Sequence, residues 1–327
     1  MLGYLNRAVP LERLAEGESE EDRLFAQRVE SIRRFAMEEL GLSASKNYTR
    51  YVNLDRDYLA AVVSASAMDS FNTHQWWFPV VGRVPYKGFF NIEDARRERA
   101  RLERRDLDVW IRRVDAFSTL GWFRDPLYSF MKNYPVYDLA ELIIHELFHA
   151  TVWLNSHVQF NEELATLVGR EGARLYMEQS YGENWQDESD EEAVRADFAA
   201  YLSFLRGLIA ELEELYNGPA AREEKLLRRE EIIEEAKLRF EAEYEDNFTT
   251  DNFRSFSELP VNNAYLGLFR LYYEGDQYFN DLYERAGLGL PEFIAVTKSL
   301  KDLRSLNRGR GNPAEELERA LGLRRGI

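Results

Sequence analysis

The stretch 139–165, LAELIIHELFHATVWLNSHVQFNEELA, constrains this chain more than any other. His145-Glu146-Leu147-Phe148-His149 is an H-E-x-x-H motif inside a run that reads as a helix. Histidines four residues apart share one helix face, with Cβ atoms about 5–6 Å apart. That spacing lets both imidazoles reach one zinc ion at about 2.0–2.1 Å, with Glu146 placed to take a proton from the attacking water. Only four histidines occur in the chain, and two fall in the motif. Its flanks, Ile143, Ile144, Leu147 and Phe148, are uncharged, as a buried site requires.

A catalytic zinc site needs a third protein ligand and one open position. The metzincin continuation would put Gly and His where Val152 and Asn155 stand, and the inverted H-x-x-E-H order is absent. A carboxylate on a following helix remains. The segment 161–165, N-E-x-x-A in form, is similar to the second-helix segment of Glu-zincins and supplies Glu162. Glu163 and His157 are the alternatives for the third ligand. Helical spacing from Glu162 leads to Thr166, Gly169 and Ala173, small side chains that predict a close approach of the two helices.

Charge excludes some partners. Net charge is −16 and pI about 4.9, so no basic excess faces nucleic acid or an anionic membrane surface. The chain contains no cysteine, which removes disulfides, thiolate nucleophiles and Cys-ligated zinc. No run of about 18 apolar residues predicts a membrane span. Residues 1–14 lack the apolar core of a signal peptide. The expectation is a cytoplasmic protein or a chain without its targeting segment.

Along the chain, helices are predicted over 19–41 and 91–105, and strands over 58–64, 76–82 and 107–117, with Pro79 marking an edge or bulge. Residues 84–90 read as an extended piece broken by Gly88. Asp138 and Glu141 resemble a capping box opening the motif helix, which is expected to reach about residue 154. Gly182 should end the second helix. The patterns 190–216 and 222–246, separated by Asn217-Gly218-Pro219, read as an antiparallel helical hairpin, a charged scaffold arm. Helices follow over 264–273, 277–285, 291–306 and 313–321.

Together these predict an α+β, predominantly helical chain of zincin-like type, with a small N-terminal sheet and a long helical hairpin. One catalytic unit over 1–327 would comprise an N-terminal lobe (19–135), the metal-binding helix pair (136–182), the arm (187–248) and a C-terminal helical part (260–327). In zinc peptidases a sheet edge beside the motif helix takes an extended peptide by strand addition. The candidate segments are 84–90 and 116–122.

Longer segments carry a family resemblance: FAMEELGL (35–42), WFPVVGRVPYKGFF (77–90), AFSTLGWFRDP (116–126), HELFHATVW (145–153), FNEELATLVGREGA (160–173), and Asn262-Asn263-Ala264 followed by Tyr272. They resemble a zinc aminopeptidase family of bacterial envelope proteins. The resemblance implies one Zn2+ ion held by His145, His149 and Glu162, with Glu146 as base and a peptide or protein as substrate. It also implies relatives with a lipoprotein-type signal, hence an envelope location. Tyr272 and Tyr265, with Tyr86, are candidates to stabilise the oxyanion, and His157 could assist. Tyr86, Ser118, Thr119 and Asn263 are candidate substrate contacts. Two alternatives stay open: a zinc endopeptidase, and a non-catalytic zinc-containing binding or scaffold protein. The sequence does not give the oligomeric state.

Overall fold

The computed structural model describes residues 8–17, 19–54, 56–79, 82–114, 125–182, 185, 191–273 and 276–323. They form an α+β, mostly helical structure with small sheets. The central sheet has three antiparallel strands, Tyr86–Phe89, Ala60–Ala67 and Leu107–Val114, in that spatial order. Its register aligns Tyr86, Ser64 and Trp110 across the sheet, and likewise Gly88, Val62 and Arg112. Side chains alternate along a strand, so these two rows share one face. The other face presents Ala61, Val63, Ala65 and Val109 to Ala95 and Leu102 of the helix Ile92–Glu103. The central strand is therefore buried on both faces, which its Ala- and Val-rich sequence allows.

Several boundaries differ from the sequence reading. The predicted strand 76–82 is split into a hairpin, Trp76–Phe78 with Gly82–Val84. Pro79 follows the first piece, and Gly82 opens the second at φ +78°. Gly88 does not break its strand; it pairs with Val62. The third strand of the sheet is described over Leu107–Val114, and residues 115–117 of the predicted strand lie outside the described residues. The candidate edge segment 116–122, with Ser118 and Thr119, lies outside the described residues. A second small sheet joins Val9–Pro10, Arg50–Val52 and Leu127–Tyr128.

The motif helix runs Val136–Thr151. Its N-cap is Pro135, with ψ 148° and no side-chain cap, so the Asp138–Glu141 capping box does not form. Proline's fixed φ starts the helix earlier, and Asp138 falls in its first turn, where the helix dipole favours an acid. The helix ends before residue 154, because Val152 turns extended (φ −131°, ψ 119°). The second helix, Val158–Tyr181, stops at Gly182 with φ +90°, as predicted. These two helices lie in close contact. A Cβ at Gly169 would stand 3.1 Å from the His145 Cβ, and one at Gly172 would stand 3.0 Å from the Ile144 side chain.

The main core draws on the N-terminal helices, the motif pair and the C-terminal helices together, from Leu11 through Leu317. The arm helices Glu191–Asn217 and Arg222–Ala242 build a second core around Leu208, Leu212, Ile233 and Phe240. They run antiparallel. Lys225 bonds the Tyr216 carbonyl beside the turn, and Tyr201 meets Phe240 at the far end, 5.9 Å between ring centres. Arg229 ties the arm to the sheet through a buried 3.0 Å ion pair with Asp108. The helix Asn263–Tyr273 packs against the sheet and both arm and second helix. The predicted helix 291–306 is three pieces: Leu290–Ser299, a 3-10 turn Leu300–Asp302, and Arg304–Asn307.

Candidate metal centre

One helical turn sets the first two donors. His145 and His149 meet with ring centres 4.7 Å apart and planes at 87°, and their Nε2 atoms are 3.0 Å apart. The second helix brings Glu162 across from them. Its Oε2 lies 3.6 Å from His145 Nε2 and 3.4 Å from His149 Nε2. Zinc bonds of about 2.0–2.1 Å at tetrahedral angles separate ligand atoms by about 3.3–3.4 Å. The three observed spacings bracket that value, so this donor set fits a small divalent cation. Among the described residues, these are the His, Cys, Asp or Glu side chains that converge in this way.

The alternative third ligands stand elsewhere. Glu163 Oε1 accepts from Gln159 Nε2 at 3.0 Å. His157 opens the second helix beside the Leu306 backbone, where burial lowers its pKa.

Neighbours hold the donors in position. Asn161 clasps the inter-helix turn: its Oδ1 accepts from Leu154 N–H at 3.0 Å, and its Nδ2 donates to the Leu154 carbonyl at 2.9 Å. This clasp fixes the start of the helix that carries Glu162. Tyr86 Oη donates to Glu162 Oε1 at 3.1 Å, leaving Oε2 turned to the imidazoles. Burial alone would raise the Glu162 carboxyl, but His149 and His145 beside it hold it well below the usual range. It is therefore a carboxylate, the form a metal binds. Burial, and then the Glu162 charge, push the Tyr86 phenol up, so it stays a donor.

His149 and Glu162 are buried, at 4% exposure each, whereas His145 is partly open. The open side faces a cleft of about 800 Å³ that also contains Glu146, Arg112 and Tyr272. Arg112 Nη2 donates to Tyr272 Oη at 2.6 Å. Because the arginine engages the phenol oxygen as acceptor, the phenol proton is left to point elsewhere. Burial pushes the Tyr272 pKa up, and Arg112 opposes it.

The remaining candidates divide by geometry. The Tyr265 hydroxyl is bonded to that of Tyr201, toward the arm. Asn263 is fully buried. Its Nδ2 donates to the Ala67 and Ser70 carbonyls and its Oδ1 accepts from Tyr216 Oη. With its amide engaged by protein, its side chain braces the fold. The Tyr86 hydroxyl is likewise engaged by protein, being given to Glu162. Arg112 and Asn161 went unremarked in the sequence. Asn161 had a signal, being the first residue of N-E-x-x-A. Arg112 had none, because its position depends on strand register.

No curated protein and no solved structure matches this chain. A family model described as "Putative aminopeptidase" matches residues 1–310, and the chain belongs to that family.

Proposed function

We propose that this chain is a zinc-dependent peptidase of zincin-like type, and by its family an aminopeptidase. The spacing of the His145, His149 and Glu162 donor atoms, 3.0–3.6 Å, carries the reading, with Glu146 in the adjoining cleft. A zinc ion there would polarise the scissile carbonyl and bring the pKa of its water toward about 7. Glu146 is the base: it takes the proton of the attacking water and returns it to the leaving amine. Tyr272, its oxygen already accepting from Arg112, donates its O–H to the carbonyl oxygen as that atom becomes negative. Tyr86 keeps Glu162 aimed at the cation.

A purely structural zinc would have four closed protein ligands and no use for a base. Three donors, a partly open His145 and a carboxylate in the cleft favour catalysis. The test is cleavage of a mixed peptide library by purified protein, with and without chelator. Cleavage that chelator abolishes and zinc restores is expected. No cleavage by protein carrying one zinc per chain would sink the hydrolase reading. Release of single N-terminal residues supports the aminopeptidase, and internal fragments the endopeptidase alternative.

A further inference from the structure

Resting on the peptidase reading, we infer that the cleft beside the metal centre selects peptides carrying a large apolar side chain next to the cleaved bond. The cleft wall opposite the motif helix is a continuous row of aromatic rings. Trp110 meets Tyr265 at 4.7 Å between ring centres, and Tyr265 meets Phe269 at 5.2 Å. Phe269 meets Tyr273 at 6.4 Å, and Tyr273 meets Phe198 at 5.2 Å. All five line the cleft that holds His145 and Glu146.

These rings are the outer layer of the arm's core. Tyr201, Phe240 and Phe256 behind them are buried, whereas Trp110, Phe198, Phe269 and Tyr273 keep part of their surface open. A concave apolar surface beside a reactive centre gains free energy by covering it with an apolar side chain. A charged side chain laid on these rings would lose water without gaining a hydrogen bond from them. Asp138, Glu141 and Glu146 line the same cleft, as do Arg112 and Arg113, so its charges are of both signs and the aromatic row is the part that discriminates.

The test uses zinc-loaded protein and peptides identical except for one residue, Phe, Leu, Ala or Asp, on either side of the cleaved bond. We expect kcat/KM for the Phe or Leu peptide to exceed that for Ala by about 10²-fold on one side, with Asp lowest. Phe198→Ala and Phe269→Leu should each shrink the Phe-to-Ala ratio several-fold, with circular dichroism and thermal unfolding reporting whether the fold survives. Binding of the same panel to the Glu146→Gln protein, by calorimetry, separates the two ideas. Absent turnover by the wild-type protein with a clear Phe preference in binding removes the hydrolase reading and keeps the pocket. Equal kcat/KM or equal affinity across Phe, Ala and Asp overturns the pocket.

Discussion

Gly169 lies flat against His145. A β-carbon at 169 would fall 3.1 Å from the His145 Cβ and 3.1 Å from the Glu141 carbonyl oxygen. The absence of a side chain at 169 is thus what lets the helix carrying Glu162 approach the helix carrying both histidines.

Gly169→Val should force the two helices apart, because its neighbours are backbone and a β-carbon rather than the far end of a flexible chain. Overpacking of this kind costs about 1–3 kcal/mol. Ligand geometry tolerates only about 0.5 Å of error, so zinc affinity should fall at least 10-fold. Chemical denaturation and a zinc competition titration report the two effects. Wild-type zinc affinity in a destabilised variant would show that the contact serves packing alone.

Removal of the base and removal of a ligand should separate cleanly. Glu146→Gln keeps the three donors, so one zinc per chain should remain while kcat drops by about 10²–10⁴. His149→Ala takes away a buried donor and should lose the metal. Metal analysis of both purified proteins beside their turnover decides. A Glu146→Gln protein with full activity removes this residue from the mechanism.

Tyr86→Phe deletes one hydroxyl, the donor to Glu162 Oε1, and leaves the ring in place. Partners that orient a ligand typically contribute 10–100-fold in affinity or activity. Zinc binding should weaken by that order, with little change in denaturation midpoint once zinc is stripped from both proteins. If Tyr86 instead contacts substrate, KM rises while zinc affinity stays at the wild-type value.

The legible parts of this molecule are the ones written in local spacing. The i, i+4 histidines and the small residue seven positions beyond Glu162 follow from helical periodicity, Glu162 itself is marked by the N-E-x-x-A form, and the helices form as that periodicity requires. The motif helix starts earlier than the Asp138–Glu141 pattern predicts, because Pro135 occupies the N-cap. Tyr86 and Arg112 reach the site only through strand register, with partners 76 and 160 residues away. Asn263 bonds carbonyls 196 and 193 residues away, so its bracing role has no local signature.

Away from the centre, Glu98 should make stability depend on acid. Arg101 grips its carboxylate through two hydrogen bonds of 2.7 and 2.8 Å, and Trp76 Nε1 adds one at 3.0 Å. Arg101 foremost, then Trp76 and Lys87, outweigh burial and lower the Glu98 pKa from 4.5 to about 2. A folded-state pKa below the unfolded value means the contribution is complete above about pH 4.5 and is lost as pH falls toward 2. Arg101 is half exposed, so solvent screening limits the contribution to about 1–2 kcal/mol. Urea unfolding of wild type and Glu98→Gln should differ by that amount at pH 7. The two curves should converge between pH 4.5 and 2, since a protonated Glu98 and a glutamine hold Arg101 alike. A gap that stays constant through that window would mean the carboxylate charge contributes nothing to how the helix Ile92–Glu103 holds the hairpin that begins at Trp76.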